Sequence, residues 1–385
     1  MKVLHLASWY PNRTGKQDGD FIQRHITAVS ALVPGYVIHV VKDEKMASRV
    51  DKVVTTTDNL TEIIVYYKPV KTGFKLVDKL ISYRAYKKLL VQEVKAYVDK
   101  HGKPDLAQVH VAMRAGIGAL WLKQHFGVPY IVSEHWSGYY ETDPDNFFRR
   151  DYIFRHTTRR IIAEAARVTA VSRNLAERLS AIFSISNTSV VYNSVNADLF
   201  YYRPVDVDRF RFVHVSNLHP IKNVGALFNV LSRLKSVRSD WLLTMVGVID
   251  ISYQQVAADL GLNEHIEWRG EIVHNKVPAA LQGANALLMF SHHENLSCVV
   301  CESLCCGVPV IATRVGGLPE IVDQRNGILC TPGNQPELLE SILQMMDHYD
   351  QFNRPAIAAS AAAIFHEPLI ARRFVSVYKA LINGS

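Results

Sequence analysis

The sequence predicts an α/β protein built of two doubly wound domains facing across a cleft. Three observations carry this. The chain has 385 residues, more than one ordinary domain holds. Short, β-branched apolar runs alternate with helix-like stretches. That alternation then stops at a linker and restarts. Continuously apolar strands joined by helices imply a parallel sheet covered on both faces.

The first strand series is VLHLAS (3–8), YVIHVV (36–41), EIIVYY (62–67), LAQVHV (106–111), PYIVSEH (129–135), RVTAVS (167–172) and SVVYN (189–193). The second is RFVHVS (211–216), WLLTMVG (241–247), HIEWRG (265–270), NALLMFS (285–291), PVIAT (309–313) and GILC (327–330). Residues 193–210 are rich in Asn, Ser and Asp, contain Pro and hold no period, which marks a linker. In doubly wound sheets ligands bind beyond the carboxyl ends of the strands, so those ends are where function is expected.

Composition excludes several classes. Apolar residues make up 48% and charged residues 21%, as in ordinary globular chains. No apolar run is long enough to span a bilayer. MKVLHLASWYP is too short and too quickly polar for a signal peptide. All five cysteines fall at or after Cys298, which argues against a disulfide framework and for a reducing cytoplasm. Cys298, Cys301, Cys305 and Cys306 lie at helical spacing among small and apolar residues, so helix packing is favoured over an iron–sulfur cluster.

The net charge of +7 is concentrated. Residues 68–100 hold nine Lys/Arg against three acids. Leu76, Leu80, Tyr83, Leu90, Val94 and Tyr97 recur at helical spacing there and predict one amphipathic helix. Its cationic face is either simply solvated or rests against anionic lipid headgroups. No nucleic-acid motif accompanies the charge.

The chemistry-bearing residues cluster at strand ends. Ser291-His292-His293-Glu294-Asn295-Leu296-Ser297 joins a buried strand to an apolar helix whose first N–H groups would attract a phosphate. Glu302 falls inside that helix and needs a partner, either ligand hydroxyls or an Arg or Lys. Gly316 and Gly317 form a second strand-to-helix turn that allows close backbone approach. In the first half, a glycine-bearing loop runs from Trp9 to Phe21; it is no GxGxxG fingerprint, so a nicotinamide cofactor is disfavoured. His110 and His135 end strands, and His135 is followed by the aromatic turn Trp136-Ser137-Gly138. Lys222 lies between a strand and a helix, where it could neutralise a diphosphate.

With these residues placed, the chain resembles the retaining glycosyltransferases of the glycosyltransferase-B fold, the family-4 group in particular. S-x2-ENLS-x4-E-S-x3-GVPVIAT-x-VGGLPEIV-x4-NGIL is similar to that family's E-x7-E signature and the Gly-Gly loop after it. VVYNSVNADLF, VSNLHPIKN and TAVSRNLAERL are similar to its linker, donor-phosphate and first-domain segments. The resemblance implies two Rossmann-like domains: residues 1–195 with a returning helix 366–385 on the acceptor side, and residues 196–365 for the nucleotide sugar.

The resemblance also implies roles. Glu302 would bind the donor ribose and Glu294 would lie by the transferred sugar. Asn295, Leu296 and Ser297 would hold the donor phosphates through main-chain N–H groups, and Lys222 would stabilise the leaving diphosphate. His135 would lie at the reacting face, Gly15 or Gly19 would keep a loop thin beside the diphosphate, and backbone near Ile272 would meet the base. Asn217 stands where the family commonly has an Arg of the diphosphate clamp. The resemblance implies hexosyl transfer with retention, from a nucleoside diphosphate sugar to a glycan or lipid-linked acceptor. Neither metal nor other cofactor is implied. A nucleotide-sugar epimerase of the same fold and a non-catalytic nucleotide-sugar-binding protein are the alternatives.

Overall fold

The computed structural model describes residues 1–204 and 208–383; the middle of the 193–210 linker and the last two residues of the 366–385 segment lie outside them. The chain forms two compact units. The first holds residues 1–141, 145–192 and 370–385; the second holds 142–144 and 193–369. The divisions fall a few residues from the 195 and 366 read from the sequence.

The first unit contains an eight-stranded sheet in the order β3-β4-β2-β1-β5-β6-β7-β8. Its strands are β1 (Val3–Ala7), β2 (Gly35–Lys42), β3 (Val50–Thr56), β4 (Leu60–Tyr67), β5 (Leu106–His110), β6 (Tyr130–Glu134), β7 (Arg167–Ala170) and β8 (Thr188–Val190). All pairings are parallel except β3 with β4. Seven of these strands match the apolar runs. The sequence reading missed β3, because VDKVVTT is exposed along almost all its length and carries no buried face. It is an antiparallel edge strand with Lys52 paired to Glu93, a charged edge of the kind that discourages further pairing.

Helices α1 (Asp20–Ser30), α2 (Lys75–His101), α3 (Gly116–Phe126), α4 (Tyr152–Ala163) and α5 (Arg173–Phe183) cover the sheet. The amphipathic reading of α2 holds for its second half only. Tyr86, Leu90, Val94 and Tyr97 are buried, whereas Leu76 and Leu80 are 84% and 41% exposed. The reason is length. Twenty-seven helical residues run ~40 Å, beyond the ~26 Å of an eight-residue strand, so the first turns overhang the sheet. Among the described residues no helix is long and apolar enough to cross a membrane.

The second unit contains a six-stranded, all-parallel sheet in the order β11-β10-β9-β12-β13-β14. Its strands are β9 (Phe210–Val215), β10 (Trp241–Val246), β11 (Ile266–Gly270), β12 (Ala286–Met289), β13 (Val310–Thr313) and β14 (Gly327–Cys330), each matching a predicted run. Its helices are α6 (Val224–Val237), α7 (Ile251–Asp259), α8 (Val277–Gln282), α9 (Cys298–Cys305), α10 (Gln335–Asp347) and α11 (Arg354–Phe365). Phe212, Phe228, Trp241, Phe290 and Met345 fill its core. Cys301, Cys305 and Cys306 are buried and Cys298 is half-buried, and burial pushes the Cys305 thiol up to about 12. A last helix, α12 (Glu367–Asn383), buries Phe374 and Tyr378 against Val3, Leu106 and Ile131 of the first unit. The Tyr378 hydroxyl donates to buried Gln108 there.

Histidines crowd the first unit's interior. His5 lies in β1, His39 in β2, His110 at the end of β5 and His25 on α1, and all are buried. The His5 Nδ1 and His110 Nε2 atoms are 3.3 Å apart, and His39 Nδ1 lies 2.9 Å from the Ala7 carbonyl oxygen. Burial lowers His5 to about 3 and His39 to about 4, so both rings are neutral near pH 7. Their folded values lie below the unfolded value of ~6.5. The stability they contribute is therefore complete above that value and is lost as pH falls. Thermal unfolding between about pH 7 and pH 5 should show stability dropping by roughly 1.4 kcal/mol per histidine per pH unit once pH is below ~6.5. A midpoint unchanged across that window contradicts the neutral-histidine core.

Candidate active site

In the second unit, the 291–297 loop leaves β12 and enters α9. Four hydrogen bonds from three segments hold it. The His292 N–H donates to the Ile221 carbonyl at 2.7 Å, and the Asn193 side chain donates to the Leu296 carbonyl at 2.8 Å. The Gly317 N–H donates to the Asn295 carbonyl at 2.9 Å, and the Thr313 hydroxyl donates to the Ser291 carbonyl at 2.6 Å. Gly316 sits at φ 51°, and a Cβ there would lie 1.5 Å from the Glu294 carbonyl oxygen. Only glycine permits that approach. The two glycine-bearing and acidic motifs of the sequence are thus one interlocked structure.

Glu294 is buried at the centre of this loop. Its Oε1 accepts from Lys222 Nζ at 2.6 Å and from Ser291 Oγ at 2.7 Å. Lys222 comes from the short 3-10 turn of residues 220–222 after β9, started by Pro220 and ended by Asn223 at φ 54°. Its side chain is 18% exposed and Glu294's is 8% exposed. A cation held this firmly, beside the start of a helix whose N-cap Ser297 makes no side-chain cap bond, forms a ready seat for an anion. Asn295 is half-buried, and Leu296 and Ser297 are buried.

Glu302 is the fifth residue of α9 and is buried. Its Oε1 lies 2.8 Å from His274 Nε2. A histidine, which the sequence reading did not consider, is thus one partner of this carboxylate. His274 follows the turn after β11 and lies against Phe200, with ring centroids 5.1 Å apart. Ile272, half-buried, stands two residues before it. Asn217 is exposed, and its Oδ1 accepts from the His219 N–H at 3.2 Å within the same turn. Gly247, following β10 at φ 147°, leaves no room for a Cβ, which would meet the Ser216 carbonyl oxygen at 1.8 Å.

In the first unit, Gly19 is the N-cap of α1 at φ 69°, and a Cβ there would lie 2.7 Å from the Trp9 main chain. Gly15 closes the small Asn12–Gly15 bridge in the same loop. His135 follows β6, half-buried, with its ring centroid 4.9 Å from Phe21 and 5.5 Å from His25. Burial lowers it to about 3, so it is a neutral imidazole near pH 7. Its turn is held by a carboxylate that sequence reasoning passed over. Buried Glu134 accepts from the Ala112 N–H and the Tyr139 hydroxyl, both at 2.8 Å, and from the His135 N–H at 3.2 Å. Burial raises its carboxyl against these donors. Glu134 closes an otherwise apolar strand, which is the signal that could have found it. Ser291 and His274 carry no such signal, since each matters only through the glutamate it meets.

Residues 209–348 match the family described as Glycosyl transferases group 1, and residues 49–199 match Glycosyltransferase Family 4. An uncharacterized glycosyltransferase of Methanocaldococcus jannaschii is 27% identical over 82% of this chain and 86% of its own. N-acetyl-alpha-D-glucosaminyl L-malate synthase of Bacillus anthracis is 23% identical over 69% of this chain and 75% of its own. Among solved structures, sucrose-phosphate synthase of Thermosynechococcus elongatus superposes with a TM-score of 0.81 at 19% identity, covering 100% of both chains. The Anabaena protein HepE, solved with UDP, superposes with a TM-score of 0.72 at 18% identity over 99% of this chain and 100% of its own. Two family matches that fall on the two units, and a fold shared end to end, place this chain among the family-4, group-1 glycosyltransferases of the glycosyltransferase-B fold.

Proposed function

We propose that the enzyme transfers a hexosyl-type group from a nucleoside diphosphate sugar, without a metal and with retention, to a glycan or lipid-linked acceptor of cell-envelope polysaccharide synthesis. The observation that carries this reading is the Lys222–Glu294 pair, fixed at the start of α9 by the Gly316 approach. A diphosphate seated there meets the Lys222 ammonium and the main-chain donors of Asn295, Leu296 and Ser297. These stabilise negative charge as it develops on the leaving group, and fixed donors of this kind usually contribute most to rate at such a site. HepE was solved with UDP and with UDP-glucose, which supports a nucleotide-sugar donor.

The other roles are those that the family resemblance implies. Glu302, oriented by His274, accepts from the ribose hydroxyls, and the main chain at Ile272 meets the base. Glu294 lies by the transferred sugar. Neutral His135, with Glu134 as its positioning residue, accepts a hydrogen bond at the reacting face. Gly15 and Gly19 keep their loop thin. The protein works in the cytoplasm, with the basic segment 68–100 against the anionic face of a membrane. A second reading, a nucleotide-sugar-binding protein without turnover, is favoured by Asn217, whose carboxamide is tied to His219 where the family carries a cation.

Transfer from a panel of nucleoside diphosphate sugars in EDTA, followed by NMR of the product anomer, tests the reading. Glu294→Gln should lower turnover by about 100-fold or more in a folded protein. Transfer that survives this change sinks the assigned role, and binding with no transfer by the parent favours the second reading. Lys222→Ala should weaken nucleoside diphosphate binding and leave Glu294 buried beside Ser291 alone. The stability cost should be about 2 kcal/mol, less than for a fully buried pair because Lys222 is 18% exposed. Gly316→Ala should abolish nucleotide binding, because its Cβ displaces the Glu294 carbonyl. Normal calorimetric titration of that variant contradicts the interlock.

A further inference from the structure

The apolar stripe of α2 continues past the core it serves. Leu76, Leu80 and Tyr83 extend the line of Tyr86, Leu90 and Val94 at three- and four-residue spacing, on the part of the helix that overhangs the sheet. They line one side of a cavity of about 330 Å³, and Met113, Ile153 and Phe154 line the other. That volume lies at the lower end of ordinary ligand pockets. Its mouth is open to solvent: Leu76 is 84% exposed, Tyr152 71% and Ile153 52%, with the Lys79–Asp151 ion pair among them. Exposed apolar residues gathered this way mark an interaction surface.

Charge identifies the occupant. Lys75, Lys79, Arg84, Lys87 and Lys88 share the helix with the stripe, and residues 68–100 hold nine Lys/Arg against three acids. A second copy of this chain would bring two such cationic faces together, at a Coulombic cost. A free glycan needs polar partners along its length, but the walls are mainly apolar, with Arg114 and the Lys79–Asp151 ion pair as the charged groups among them. An anionic bilayer matches both features, offering negative headgroups to the lysines and hydrocarbon to the stripe.

We propose that the first turns of α2 and α4 insert into the hydrocarbon boundary of an anionic bilayer, with the cavity between them taking a lipid acyl chain. This rests on, and deepens, the reading of an enzyme that works at a membrane. It adds that attachment is apolar as well as electrostatic. The basic segment alone would give binding that salt abolishes, whereas insertion gives a component that salt leaves in place.

The test is co-sedimentation of the full chain with phosphatidylglycerol–phosphatidylcholine vesicles at ~50 mM and ~500 mM NaCl. The parent protein should bind in both, more weakly in high salt. Leu76→Asp and Ile153→Asp should each lower the high-salt binding by about tenfold while the low-salt attraction persists. Both side chains are exposed, so an unchanged thermal midpoint should confirm an intact fold. Parent binding that vanishes in high salt, or variants that bind like the parent, overturns insertion and leaves the electrostatic reading standing. No binding at either salt overturns both, without touching sugar transfer. A dimer that Leu76→Asp dissolves, with vesicle binding unaltered, assigns the groove to a second copy and also overturns the proposal.

Discussion

Gly316 and the Glu294 main chain occupy a space that admits no side chain between them, and the second unit's site depends on that contact. A turn following β13 is pressed against a loop following β12. The Gly317–Asn295 hydrogen bond locks the two together. With the loop so fixed, Glu294 is directed at Lys222 and Ser291 rather than at water. A carboxylate and an ammonium removed from solvent are costly unless geometry is good. Here the geometry is supplied by neighbouring strands of one parallel sheet, whose carboxyl ends deliver the loops side by side.

The first unit solves a different problem. Its strands carry histidines where a parallel sheet usually carries aliphatic side chains. Burial holds those rings neutral, so they behave as compact polar core residues rather than as charges. His135 belongs chemically with them but lies at the strand end, half-buried, on a turn that Glu134 ties to the main chain. A neutral imidazole can accept a hydrogen bond from a hydroxyl, and a carboxylate beneath the turn keeps it from drifting.

Thirteen of the fourteen strands among the described residues were legible, most of them because a parallel strand buried on both faces is largely apolar. β3 was not, since an exposed edge strand has no such signature. The stripe on α2 was legible as a helix but not as a partly unpartnered one. Sequence period reports a face, and only the sheet's length tells where cover ends. Glu294, Glu302 and Lys222 could be singled out because charged residues beside apolar strands need a reason. Their partners Ser291 and His274 could not, because each is brought to its glutamate by folding. Gly316 read only as a permissive turn; that it meets Glu294 is a property of two neighbouring strands.

Hydrogen–deuterium exchange of the whole chain, with and without a nucleoside diphosphate in EDTA, tests most directly whether the interlocked loops form the donor seat. Slowed exchange should be concentrated in residues 291–300, 314–320 and 272–276, with the β3 edge unchanged. Protection that misses all three segments, or that falls elsewhere in the chain, would contradict a donor seat at this interlock.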